Sequence, residues 1–175
     1  MAIEGELSAV ICISDPVREE AAEVIKQLKS LGIKNIVMMT GDNERTAKVV
    51  AAQIGVDKYH AGVLPEDKAR FIEEEKARGR KVIMVGDGIN DSPALSASDC
   101  GIAISGGAEI AREIADITIV ADNLHELVKL KILSNLLVKR INGNYRKIVG
   151  INGGLIGLGV FGVIQPTTSA LVHNL

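Results

Sequence analysis

Two carboxylates, Asp87 and Asp91, close the segment Gly86-Asp87-Gly88-Ile89-Asn90-Asp91. With Asn90 between them they make a hard oxygen set of the kind that Mg²⁺ takes. The glycines permit the tight turn that aims both acids at one point. The segment superficially follows the Gly-x-Gly-x-x-Gly pattern of dinucleotide sites, but it ends in an acid. Two carboxylates repel a pyrophosphate unless a cation stands between them. Taken alone, the segment also has the composition of a Gly/Asn turn with solvated acids.

Two further clusters suit a phosphoryl group. Thr40-Gly41-Asp42 offers a hydroxyl and backbone N–H groups where a helix opens, a favourable place for a phosphoryl oxygen. An ordinary N-cap by Asp42 or Asn43 is the plainer reading of the same residues. Lys68 follows Leu64-Pro65-Glu66-Asp67, in the first turn of a helix, where the dipole disfavours a cation. That placement points to an anion nearby, either a ligand or a neighbouring acid.

The elements that must position these groups alternate along the first 120 residues. Strand-like apolar runs occupy Leu7–Ile13, Ile36–Met39, Val56–Ala61, Val82–Val85, Gly101–Ile104 and Ile117–Val120. Helical spacing occupies Val17–Leu31, Glu44–Ile54 and Leu64–Arg78, with Gly32, Gly55 and Gly79 as stops. Repeated strand–helix units with near-continuous apolar strands predict an α/β fold, a parallel Rossmann-like sheet with helices on both faces. Ligands of such sheets bind beyond the carboxyl ends of the strands. Asp15, Thr40-Gly41-Asp42 and Gly86-Asp87-Gly88 all fall there.

Charge divides the 175 residues unevenly. The total is −2, yet residues 1–126 carry all 22 acids, and residues 127–147 carry six bases (Lys129, Lys131, Lys139, Arg140, Arg146, Lys147) without an acid. Nothing beyond 147 is charged. A chain 47% hydrophobic and 24% charged is not of the disordered or collagen class. Two cysteines, Cys12 and Cys100, make no disulfide scaffold or structural zinc site, and both read as inert core residues. The near-neutral total gives no support for a nucleic-acid partner.

From Asn123 to Lys147 the pattern is one basic amphipathic helix, which runs into the uncharged stretch Ile148–Ile164. At ~1.5 Å per residue that stretch spans roughly 25 Å, at the short end of what crosses a bilayer. Its Gly-x-x-x-Gly spacings (Gly150 to Gly154, Gly153 to Gly157) let another helix approach closely. A transmembrane helix is therefore expected over 148–164, with the basic collar and residues 1–147 on the cytoplasmic side. Residues 167–175 read as the start of a second, truncated transmembrane helix.

Asp15-Pro16-Val17-Arg18, Met39-Thr40-Gly41-Asp42, Leu64-Pro65-Glu66-Asp67-Lys68 and Val85-Gly86-Asp87-Gly88-Ile89-Asn90-Asp91-Ser92-Pro93-Ala94-Leu95 occur in this order. Together they resemble the haloacid-dehalogenase-like phosphoryl-transfer domains, and more closely the phosphorylation domain of heavy-metal-transporting P-type ATPases. With the glycine-rich stretch and apolar tail, the resemblance covers essentially the whole chain.

The resemblance implies residues 1–122 as the C-terminal part of a phosphorylation domain, 123–147 as a juxtamembrane helix and 148–164 as a membrane helix. It implies catalytic roles for Thr40, Lys68 and Asp87. Thr40 would bind phosphoryl oxygens with Gly41 and Asp42, and Lys68 would neutralise them. Asp87, Asn90 and Asp91 would hold Mg²⁺, the cofactor, with ATP as substrate. Asp15 and Arg18 would sit at the edge of the site. Asn152, His173 and Asn174 would line the path of the transported heavy-metal cation. The partners implied are the lipid bilayer and the nucleotide-binding, actuator and other membrane domains of a full pump.

One departure matters. The family's phosphorylated aspartate opens an Asp-Lys-Thr-Gly-Thr motif, and these 175 residues contain none. Without an accepting carboxylate, covalent phosphoryl transfer does not proceed, so this chain alone is expected to be inactive. A membrane-tethered regulatory or binding module and a free-standing phosphatase are the competing readings. The transported metal is open among zinc, cadmium, cobalt, manganese and copper, with no Cys-Pro-Cys to argue for copper.

Overall fold

The computed structural model describes residues 2–3, 6–7, 16–86, 89–104, 113–120 and 123–162. The chain divides into two units, Met1–Val128 and Lys129–Leu175.

The first unit is built on parallel strand pairs, as the alternation predicts. Two short strands, β1 (Ala2–Ile3) and β2 (Glu6–Leu7), pair antiparallel. After α1 (Ala21–Ser30), β3 (Val37–Met39) pairs in parallel with β4 (Lys58–His60), Met39 opposite His60. Between them runs α2 (Glu44–Ile54). After α3 (Pro65–Ala77), β5 (Ile83–Gly86), β6 (Cys100–Ile104) and β7 (Ile117–Ile119) form a three-stranded parallel sheet in that order. A 3₁₀ turn (Ile89–Asp91) and α4 (Ser92–Ala97) connect β5 to β6.

Helix ends follow their local chemistry. Asn43 caps α2 by accepting from Thr46 N–H at 3.0 Å, so Asn43 rather than Asp42 fills that role. Gly55 ends α2 at φ 76°, a left-handed conformation that glycine adopts without a Cβ penalty. Helix α1 begins at Ala21 rather than Val17, because Pro16 and a turn in which Ala21 N–H donates to Arg18 O come first. The run expected as a strand over Leu7–Ile13 is described only at Leu7, where it lies in β2.

The core gathers where α3 and α4 meet β5. Ile72, Met84, Ala94 and Leu95 are buried together, and Met39, Val82 and Ala97 pack on them. Burying Ile72 and Leu95 fully contributes about 1.5–3 kcal/mol each. Met39 belongs to β3 and Met84 to β5, so this cluster ties both sheets to one core. Gly101 is required at its edge, since a Cβ there would stand 2.8 Å from Leu95 O.

An aspartate immediately before a strand recurs three times with one function. Asp57 Oδ2 accepts from Ile36 N–H at 2.7 Å, Asp99 Oδ2 from Val82 N–H at 2.9 Å, and Asp116 Oδ2 from Gly101 N–H at 2.8 Å. Each carboxylate thus satisfies the backbone donor where the neighbouring strand begins, a group that would otherwise lack a ladder partner. Lys29 and Lys81 pair with the first two of these acids.

In the second unit, α5, which begins at His125 in the first unit, continues unbroken to Val160. Of the stretch 148–164 expected to span a membrane, residues 148–162 are described. No helix among the described residues is long and apolar enough to cross a membrane. The uncharged part of α5, Ile148–Val160, covers about 20 Å against a hydrocarbon core of ~30 Å. Five of its residues are glycine, Asn152 is polar, and Arg146 and Lys147 precede it. Residues 163–175, including the expected second membrane helix, His173 and Asn174, lie outside the described residues.

Candidate functional site

The carboxyl ends of β3 and β5 carry the polar clusters, and helix α3 brings a cation to one of them. Helix α3 starts at Pro65, whose missing N–H costs nothing at the first helical position. Asp67 Oδ2 reaches back to accept from Leu64 N–H at 3.4 Å. Lys68 comes next, and its cation at the positive end of the helix is matched by an acid. Lys68 Nζ donates to Asp91 Oδ1 at 2.7 Å, with 16% and 13% of the two side chains exposed. The anion that the position of Lys68 demands is therefore supplied by the chain itself, 23 residues on.

Gly86 makes this approach possible. A Cβ on Gly86 would lie 2.7 Å from both Asp91 Cβ and Asp91 Oδ2. The last residue of β5 must therefore be glycine for the carboxylate to fold back against the strand end. Asn90, in the 3₁₀ turn, is exposed. Asp87 and Gly88 lie outside the described residues, as does Asp15.

Thr40 occupies a different local network. Its Oγ1 donates to Asp42 Oδ2 at 2.9 Å and accepts from Asp42 N–H at 3.1 Å. Thr40 N–H donates to His60 O, and Thr40 O accepts from Val63 N–H, both at 3.0 Å. Gly62 N–H donates to Asp42 O at 2.8 Å. These bonds fasten the Thr40-Gly41-Asp42 turn to the 62–63 loop that leads into α3. A phosphoryl oxygen at this hydroxyl has to compete with the Asp42 carboxylate. Arg18 is exposed ahead of α1. Asn152 is half-buried in α5, in the second unit.

The residues present fit a divalent cation in type. Asp91 and Asn90 offer hard oxygen donors, and Mg²⁺ is commonly held by one or two carboxylates with water and phosphate completing its shell. Among the described residues no group of three or more acidic, histidine or cysteine side chains converges on one point.

His60 stands at the end of β4, beside the 62–63 loop. Its ring meets Phe71 of α3 at 4.9 Å between centroids and 56° between planes. A cleft of about 180 Å³ lies there, lined by Met39, His60, Val63, Arg70, Phe71 and Glu74. The available signal was the aromatic residue on α3 three positions beyond Lys68. Ser92 Oγ, beside Asp91, is buried with no hydrogen-bond partner among the described residues.

Comparison with known proteins gives a consistent result. Residues 1–99 match the haloacid dehalogenase-like hydrolase family. A zinc-exporting P-type ATPase of Mycobacterium marinum is 41% identical over 175 residues, 99% of this chain and 24% of that protein. A copper-exporting P-type ATPase of Staphylococcus haemolyticus is 43% identical over 166 residues, 95% of this chain and 21% of its own length. A crystal structure of a zinc-transporting PIB-type ATPase in the E2.Pi state superposes with a TM-score of 0.75 at 34% identity, covering 91% of this chain and 26% of that one. The chain thus spans about a quarter of the length of the zinc-exporting relative and about a fifth of the copper-exporting one.

Proposed function

The chain belongs to the haloacid dehalogenase-like hydrolases, and from that premise we propose that it supplies the phosphoryl- and Mg²⁺-handling half of the catalytic site of an ATP-driven heavy-metal cation pump. Its relatives over 95–99% of its length are heavy-metal P-type ATPases, which are enzymes. The observation that carries the proposal is the shielded Lys68–Asp91 pair, a cation and a carboxylate from two separate phosphoryl-transfer motifs held in contact.

In this reading Thr40 and the backbone of Gly41 orient the phosphoryl group, and Lys68 neutralises its oxygens. Phosphoryl transfer makes little covalent demand on the protein, so placed cations and donors carry most of the catalysis. Asp91 and Asn90, with Asp87, would hold Mg²⁺, which supplies positive charge to the phosphoryl oxygens when bound. Asp42 and Asp91 keep Thr40 and Lys68 oriented before substrate arrives. Asp15 and Arg18 serve the edge of the site.

The accepting aspartate has to come from an Asp-Lys-Thr-Gly-Thr segment, which these 175 residues do not contain. The purified chain incubated with γ-labelled ATP and Mg²⁺ is therefore expected to give no acid-stable phosphoprotein. Labelling that survives acid would overturn this. Steady hydrolysis of a small phosphate ester would instead favour a free-standing phosphatase.

The same reading places the chain at a membrane, with residues 1–147 cytoplasmic and the segment 148–164 in the bilayer. Its support is the row of uncovered apolar side chains Ile148, Val149, Ile151, Ile156, Leu158 and Val160. Asn152, His173 and Asn174 would contribute to the path of the metal. In a full pump, substitution of all three is expected to abolish metal-stimulated ATPase.

A further inference from the structure

The four bases that close the charged part of α5 are not scattered round the helix. Lys139 and Arg146 are seven residues apart, and so are Arg140 and Lys147. At 3.6 residues per turn, each pair forms a row along the axis, and the two rows lie side by side. Gly143 sits between them and leaves a depression. An open groove of about 760 Å³ runs along the Lys139–Arg146 row, from Lys131 and Asn135 past Lys139 and Asn142 to Gly143 and Arg146. A Cβ on Gly143 would meet nothing within 4 Å. All four bases are exposed, and no acid occurs between 127 and 175 to compensate them.

Their position along the axis identifies what faces them. The charge-free stretch begins at Ile148, directly after Lys147. At ~1.5 Å per residue, Lys139 lies about 13 Å from that boundary. This is within reach of a headgroup layer some 5–8 Å deep plus a Debye length of about 8 Å. Lys129 and Lys131 lie more than 25 Å away on the same ruler, beyond that reach. Uncovered apolar residues flank the cluster, with Leu137 58%, Ile141 55%, Tyr145 66% and Ile148 58% exposed. Apolar surface beside clustered bases, next to an uncharged segment, matches the cytoplasmic face of an anionic bilayer. A protein partner would need a matching row of acids as well as an apolar face.

We propose that Lys139, Arg140, Arg146 and Lys147 form a binding site for the phosphate headgroups of anionic phospholipids. The site rests on the membrane placement given above and adds the lipid class that the segment recognises. Lysine and arginine chains reach the headgroups while their methylene stems cover the apolar flank.

Co-sedimentation of the 175-residue chain tests this with two kinds of vesicle, phosphatidylcholine alone and phosphatidylcholine mixed with phosphatidylglycerol. Tighter binding to the mixed vesicles is expected, falling steeply with salt and undisturbed by inorganic phosphate at equal ionic strength. The variant K139Q/R140Q/R146Q/K147Q should lose about fivefold in affinity per removed charge, while K129Q/K131Q loses less than twofold in all. Circular dichroism of both variants should match the parent, since every change is on an exposed or half-exposed helix position. Equal binding to both vesicle types, or equal losses in both variants, would overturn the headgroup site and leave the membrane placement standing. Failure to bind any vesicle would overturn the membrane placement itself.

Discussion

Lys68 Nζ stands 2.7 Å from Asp91 Oδ1, joining the first turn of α3 to the turn that follows β5. The pair is largely shielded from water, so each charge depends on the other to offset its desolvation. Lys68→Met and Asp91→Asn are each expected to lower the unfolding free energy by about 3 kcal/mol in urea titrations. The double variant should lose clearly less than the sum, because the second substitution removes a charge already orphaned. Strictly additive losses would mean the pair is not coupled.

Gly86→Ala tests the close approach of Asp91 to the end of β5. The new methyl would overlap Asp91 Cβ and Oδ2 at 2.7 Å, and the aspartate Cβ cannot swing aside as a flexible chain end could. A cost of about 1–3 kcal/mol follows from overpacking. In a Lys68→Met background the same change should cost less, since the displaced carboxylate has no partner left to lose. Equal costs in both backgrounds would separate the overlap from the ion pair.

Stability should fall at acid pH through the strand-edge aspartates. The Lys29 hydrogen bond and then Ile36 N–H hold Asp57 below its ordinary 3.8, and Lys81 and then Val82 N–H do the same for Asp99. A depressed folded value means the contribution is complete above the ordinary value and lost as pH falls through the folded one. Urea midpoints are expected to decline below about pH 4 on this account. A variant with Asp57→Asn and Asp99→Asn should start lower at neutral pH and decline less steeply. An unchanged acid slope would assign the decline to other carboxylates.

Cys100 should be a slow thiol. Burial, and secondarily the charge of Asp116, push its pKa above the ordinary 9.0, and only the thiolate attacks. In a Cys12→Ser background, reaction with a chromogenic disulfide is expected to be slower in the native chain than after unfolding in urea. Equal rates would show that β6 does not shield the sulfur.

Much of the architecture was legible because it is written locally. Helix α2 occupies the residues its spacing indicates, Glu44 to Ile54, since Asn43 can cap it and Gly55 can turn left-handed. Strands β3, β5, β6 and β7 fall on the apolar runs, and the parallel pairs β3–β4 and β5–β6 each have a helix between their strands. Thr40, Gly86 and Asp91 could be singled out because residue type and spacing alone restrict what such segments can do.

The apolar tail shows what a local count leaves out. Counting uncharged residues from 148 to 164 treats the stretch as a separate element, whereas α5 runs continuously from His125 through Arg146 and Lys147. Five glycines between Ile148 and Val160 also thin its apolar content.

Sequence by itself determined the alternation of strands and helices, the chemistry of the three motifs and the step from an acidic body to a basic collar and an uncharged tail. These depend on periodicity, on caps within a few residues and on side-chain type. Tertiary structure decided which groups meet: Lys68 with Asp91, Asp91 with the bare backbone of Gly86, His60 with Phe71, and three aspartates with the N–H groups of neighbouring strands. Such contacts join residues on different elements. They form only once the core around Ile72, Met84 and Leu95 has set the elements at fixed positions, and a side-chain reach of a few ångströms then separates a contact from a near miss.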